Sequence, residues 1–331
     1  MSTVSVRERI PGILRERLSD AISQLAAAAA LIVVFVFLSF ASPQFLSSNN
    51  LFNLIVQASV VTVIAVGMTL VIITAGIDLS VGSVAAFAGV VGVMSMESLG
   101  FSTPLTILVG VLVGAAAGLV NGLLISVANL NPFIATLGML SVARGLVQVV
   151  SNAQAVFASD PSFRLFGQGA IGPIPIPVIT LAVVAIAGYI VLSRTRLGRY
   201  AYAIGSNREA ARLSGIPIPR YLTIVYVISG ALAGLGGMIA ASRVFSGQPN
   251  YGIGLELDVI ATVVIGGASL FGGQGTIVGT LIGAFLIALI RNGSVLLDIN
   301  LFYQQIIIGV IIWLAVYWDQ FRRRRIAAAS E

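Results

Sequence analysis

Few residues in this chain are placed to do chemistry. Asp78 lies in TLVIITAGIDLSVGS (69–83), and the charge before it is Asp20, across a charge-free run of 57 residues. Arg144 is the second deep charge, twelve residues after Pro132 in another apolar run, so roughly 18 Å along a helix. A carboxylate and a guanidinium in such settings could line a polar path or form an inner gate. They could equally cap a helix or bond backbone carbonyls inside a bundle. Gln57, Asn121 and Asn131 add amides that could meet a hydroxylated solute or join helices to one another. A third group, Ser206, Asn207, Arg208, Glu209, Ala210, Ala211 and Arg212 ahead of Gly215, sits in the stretch that is densest in charge.

The elements that must hold these residues are set by composition. Of 331 residues, 58% are hydrophobic and 9% charged, with a mean hydropathy of +1.04. Soluble domains carry about 25% charged residues, so the chain is expected to be an all-α integral membrane protein. Histidine and cysteine are absent, which removes disulfides, thiol catalysis, imidazole relays and the usual zinc or haem ligands. All 18 basic residues are arginine, and a Walker A loop needs lysine. The chain therefore does not hydrolyse ATP through such a loop, and no cofactor or metal is expected. A membrane-embedded enzyme would lack clustered carboxylates. An ion-coupled secondary transporter would have little beyond Asp78 and Arg144 to work with.

Ten apolar segments are predicted to span, near 21–41, 51–75, 79–96, 104–128, 132–151, 173–193, 221–241, 257–272, 275–292 and 301–319. The eighth is short and glycine-rich and could be re-entrant. The first is too long for the apolar core of a cleaved leader. With the N-terminus in the cytoplasm, 14 of the 18 arginines fall on cytoplasmic segments. That bias accounts for the net charge of +6 without nucleic acid, and it needs an even number of crossings on each side of loop 194–220. The expected division is a cytoplasmic segment 1–20, a single membrane domain 21–319 containing that loop, and a basic cytoplasmic tail 320–331. The N-terminal segment could form an interfacial helix or a disordered leader. Leu54 to Ala75 is long enough to cross alone, which puts Asp78 near the cytoplasmic ends of the second and third spans. Gly76 would permit the turn, and Asp78 or Ser80 would cap the third helix.

Within the loop, AIGSNREAARLSGIPIP (203–219) predicts a short helix. Ser206 and Glu209 form S-x-x-E, a capping box. Asn207 to Ser214 would make about two turns, Gly215 the left-handed stop, and Pro217 a bar to continuation. Arg208 and Arg212 would share a face. A helix this short needs a partner to order it.

Glu209-Ala210-Ala211, followed by Gly215, resembles the EAA motif of permease subunits in bacterial ABC importers. AGIDLSVGS (75–83), NPFIATLGMLSVARGL (131–146), GPIPIP (172–177) and VVIGGASLFGGQGTIVGTLIGAFL (263–286) are similar to the ribose/xylose/galactose-type sugar permeases. The resemblance covers most of the chain. It implies a type II-like ABC importer permease fold of about ten helices in the bacterial inner membrane. It also implies a second copy of the chain or a homologous permease beside it. A cytoplasmic ATP-binding subunit would be coupled through Glu209 and its neighbours, and a soluble or lipid-anchored binding protein would deliver a pentose or hexose. A permease for another small polar solute, such as a nucleoside or amino acid, is the near alternative.

Overall fold

The computed structural model describes residues 6–328. The arginines expected at the two ends, Arg7 to Arg17 and Arg322 to Arg325, lie outside the residues whose side chains are described. Helices follow in the order α1 (Val6–Ala41), α2 (Ser48–Ile73), α3 (Val81–Leu99), α4 (Thr103–Ser126) and α5 (Pro132–Val150). Then come α6 (Ser162–Gln168), α7 (Ile176–Arg194), α8 (Arg196–Ser206), α9 (Arg208–Leu213) and α10 (Ile218–Val244). The last are α11 (Leu255–Ile265), α12 (Ile277–Leu296) and α13 (Leu301–Ala328). Sheet is confined to two-residue strands in two antiparallel pairs: β1 (Val156–Phe157) with β4 (Ser246–Gly247), and β2 (Ala170–Ile171) with β3 (Ile174–Pro175).

Eight helices among the described residues are long and apolar enough to cross a membrane. They match the predicted first seven spans and the ninth. The tenth prediction meets the shorter apolar stretch Phe302–Leu314 within α13. The eighth differs in kind. Helix α11 has 11 residues, about 16 Å, and stops at Ile265. Beyond it the chain runs as a glycine loop in which Gly267, Gly272, Gly273 and Gly275 all have positive φ. Four residues in a conformation that disfavours a Cβ explain why the helix cannot continue.

Helix α2 lies at the centre and is buried on nearly every face, as its uniformly apolar sequence requires. Around it pack α7, α10, α11 and α12, while α3 and α4 close on α10. The tightest seam joins α4 to α10. Gly110, Gly114, Gly118 and Gly122 recur every fourth residue on α4 and face Gly230, Gly234 and their neighbours. A Cβ on Gly114 would lie 2.9 Å from the Gly234 Cα, and one on Gly118 would lie 3.0 Å from the Val227 Cα. The two backbones are in contact, a geometry open only to glycine. Gly138 on α5 has nothing within 4 Å of its position and serves as the internal control.

Gly114→Val should therefore lower the melting of the detergent-solubilised protein by an amount equivalent to about 1–3 kcal/mol. Gly138→Ala should leave it unchanged or slightly raised. Equal melting of the two variants would show that the seam does not depend on backbone contact.

Candidate functional site

The charged groups singled out by sequence occupy three different places. Asp78 is buried in the break between α2 and α3, at 1% exposure. α2 ends in a Schellman turn, with Ala75 N–H on Ile72 O (2.9 Å) and Gly76 N–H on Val71 O (3.1 Å). The left-handed residue is Ala75 (φ 60°), not the expected Gly76. Gly76 is needed for a different reason: a Cβ there would lie 2.5 Å from the Tyr226 hydroxyl.

The Ser80 N–H (3.0 Å) and hydroxyl (2.6 Å) both donate to Asp78 Oδ1, and the Ser229 hydroxyl donates to Oδ2 at 3.0 Å. Asn121 Nδ2 donates to the Ser80 oxygen at 3.0 Å. Ser80 occupies the N-cap position of α3 without a side-chain cap bond, and Asp78 holds its N–H instead. One carboxylate thus ties the α2–α3 break to α4 and α10. Ser229 is eleven residues into α10, so the knot sits about 16 Å along that helix. α2 stops at Ile73 and α3 starts at Val81, and within this break Asp78 and Ser80 are both buried.

Arg144 projects from α5 to the loop after α10. Its Nη1 donates to Pro249 O (2.8 Å) and Tyr251 O (2.9 Å). One turn on, Gln148 Nε2 donates to Asn250 Oδ1 at 2.9 Å. The guanidinium satisfies carbonyls of the non-helical segment that links α10 to α11. Asn131 caps α5, accepting from Phe133 N–H at 2.9 Å, and is exposed. Asn121 is buried in the Asp78 knot.

Of the candidate path residues, Gln57 lines a cavity. The cavity has a volume of about 690 Å³ and lies between α2, α3, α6, α10, α11 and α12, at the end of the bundle opposite α8 and α9. Arg243, Asp258 and Arg291 also line it, and Asp258 Oδ2 accepts from Arg291 Nη2 at 2.5 Å. Nothing in the sequence groups these three. The α11–α12 packing that brings residues 258 and 291 together is tertiary.

At the other end stand α8 and α9. The cap of α9 is Asn207, whose side chain accepts from Ala210 N–H at 2.9 Å. The expected capping box from Ser206 does not form. Ser206 is the last residue of α8, and its side chain packs on Gly273 of the glycine loop. Glu209 turns forward, bonded by Arg212 Nε at 3.0 Å and Nη2 at 2.5 Å. This bond holds the Glu209 carboxyl below its ordinary range, so it is ionised at neutral pH. Gly215 is the left-handed stop at φ 78°, as expected. Ala211 is buried with Ile204, Ile218 and Leu222 and anchors α9 to α8 and α10. Leu213 is 74% exposed and Arg208 is exposed too, which leaves an apolar tip and a basic residue on this short helix. Beneath this lever, Tyr202 OH donates to Gly275 O (2.7 Å) and Gly273 N–H to Ile73 O (2.9 Å). The glycine loop therefore joins α8 to the end of α2, five residues before Asp78.

If the Asp78 knot is one cooperative unit, Asp78→Ala and Ser229→Ala should destabilise non-additively. A double-mutant cycle in thermal melting should give a coupling of about 0.5–3 kcal/mol. Additive losses would mean that the carboxylate does not bind α10 to the α2–α3 break.

Residues 50–316 match the family described as branched-chain amino acid transport system / permease component. The ribose import permease protein RbsC of Escherichia coli K12 is 44% identical over 294 residues, 88% of this chain and 91% of that protein. The D-allose transport system permease protein AlsC of the same organism is 39% identical over 290 residues, 87% of this chain and 89% of that protein. The L-arabinose ABC transporter permease protein AraH of Azospirillum brasilense is 39% identical over 294 residues, 89% of this chain and 86% of that protein. No solved structure matches the chain.

Proposed function

The chain belongs to the permease-component family of branched-chain amino acid transport systems, and we propose that it is the membrane subunit of an ATP-driven, binding-protein-dependent monosaccharide importer. The family description names amino acids, whereas these relatives are named for sugars. Identity near 40% over almost the whole of both chains is the finer guide, and it favours a pentose or hexose.

The observation that carries the mechanism is the α8–α9 lever. A short helix with an ionised Glu209 and an apolar tip at Leu213 is presented away from the bundle yet anchored through Ala211. Its surface suits a cytoplasmic ATP-binding subunit, with loop 194–220 and both termini in the cytoplasm. Closure of that partner on ATP would push α9. The displacement would pass through α8, Tyr202 and the glycine loop to the end of α2, where the Asp78 break permits the bundle to bend. The partner drives transport to the extent that it binds the inward and outward states with different affinity. ATP hydrolysis belongs to the partner, and a soluble or lipid-anchored binding protein supplies sugar from outside. A second copy of the chain, or a homologous permease, completes the membrane unit.

Glu209→Arg should leave membrane insertion intact and reduce ATP-driven sugar uptake to background in proteoliposomes that contain all subunits. Normal uptake by this variant would remove α9 from the coupling path. An ATP-binding subunit should co-purify with the tagged chain. A chain that purifies alone and transports without ATP would instead be an ion-coupled carrier.

A further inference from the structure

Six arginines fall between residues 194 and 220, and the one carboxylate among them, Glu209, is already held by Arg212. Of the remaining five, Arg194, Arg196, Arg199 and Arg220 surround α8. All four are exposed, and none has a side-chain hydrogen-bond or ion-pair partner among the described residues. The bias of arginine toward one side of the membrane accounts for their presence at this end. It does not account for their being together. We infer that these four arginines form a binding site for the headgroup of an anionic phospholipid, where α8 meets the last turn of α7 and the first turn of α10. The inference goes beyond the importer reading and does not rest on it.

The position of Arg194 decides between a lipid and a protein occupant. Helix α7 buries Leu181, Ala185, Gly188 and Leu192, a stripe that faces the bundle. At 3.6 residues per turn, Arg194 lies roughly 150° from the centre of that stripe. It shares its side with Val183, Ile186 and Ile190, all exposed, an apolar column of the kind that meets acyl chains. From Ile176 to Arg194 is 19 residues, about 28 Å, close to the hydrocarbon thickness of about 30 Å. Arg194 therefore stands at phosphate level at the end of a lipid-facing column, on a side that a cytoplasmic protein docked on α9 does not reach.

The other three arginines are gathered beside it by the fold. The chain bends at Thr195, and Arg196 and Arg199, three apart, lie on α8 away from its buried Gly198, Ala201 and Ile204. Arg220 arrives from another part of the chain. The rings of Tyr200 and Tyr221 meet edge to face, with centroids 4.7 Å apart at 87°, so Arg199 and Arg220 each adjoin a member of one aromatic pair. Tyrosine is enriched at the headgroup level because its ring is apolar and its hydroxyl wet. Guanidinium forks match phosphate oxygens in bidentate pairs. Positive charge with no carboxylate to offset it favours a lipid of net negative charge over a zwitterion. Helix α8 also carries Tyr202, whose hydroxyl donates to Gly275 O, so a headgroup seated here steadies the helix that is tied to the glycine loop.

The test uses the full-length chain, purified with its partner subunits, in nanodiscs of phosphatidylcholine into which phosphatidylglycerol or cardiolipin is titrated. Lipid retained on release from the disc is read by native mass spectrometry. One of the two anionic lipids should be retained about tenfold more strongly than phosphatidylcholine. The double variant Arg194→Gln/Arg199→Gln should lose that preference, while Arg164→Gln, at an exposed position on α6, should keep it. Equal retention of anionic and zwitterionic lipid, an equal loss in the Arg164→Gln variant, or displacement of the bound lipid by inorganic phosphate would overturn the site. A double variant that keeps its lipid and sheds the ATP-binding subunit would also overturn it, by assigning these arginines to a protein partner. Lipid retention is read without sugar or ATP, so its failure leaves the importer reading as it stands.

Discussion

Lipid tails are as apolar as leucine, so burying leucine against leucine gains little for a membrane protein. Cohesion must come from close packing and from polar groups that have nowhere else to go. The contact between α4 and α10 follows from that constraint. Glycines every fourth residue on α4 let the two backbones touch, which multiplies dispersion contacts along the length of both helices. The central α2 rests on α10 in the same manner: a Cβ on Gly67 would lie 2.9 Å from the Ser229 Cα. Remove the close approach and α2 and α3 lose their packing on α10, one of the main surfaces that each rests on.

The second source of cohesion appears wherever the helices are interrupted. Non-helical backbone at membrane depth survives only if its N–H and C=O groups find partners inside the protein. At the α2–α3 break the partner is Asp78, bonded by Ser80 and Ser229. At residues 249–251 it is Arg144. After α11 it is a web of glycine-loop bonds that includes Ser269 N–H on Gln274 O and Gly273 N–H on Ile73 O. Asp78 and Arg144 are therefore the fasteners of irregular segments.

The two working ends are separated along α2. One end holds a polar cavity and the other a basic lever, and the helix between them is buried on nearly every face. Packed interiors transmit strain because they are close to crystal density. Under the proposed coupling, a displacement at α9 would reach the opposite end without a chain of charged residues through the membrane. This division suits a subunit whose energy source lies in another protein.

Composition and periodicity were sufficient for the membrane class, for the long spans, and for α9 with its Gly215 stop. Each of these depends on local sequence: a run of apolar residues, a cap, a left-handed glycine. The glycine spacing on α4 was also legible, but not the helix it faces. The cap of α9 fell one residue later than expected because Ser206 was recruited by α8 and the glycine loop, a tertiary contact. Asp78 was expected at the break between the second and third spans and lies there, but its other partner, Ser229, is 151 residues away in the chain and no local pattern points to it. Arg243, Asp258 and Arg291 carried no sequence signal as a group. They meet only because α10, α11 and α12 converge, and convergence of helices distant in sequence is set by packing, which local residue patterns do not encode.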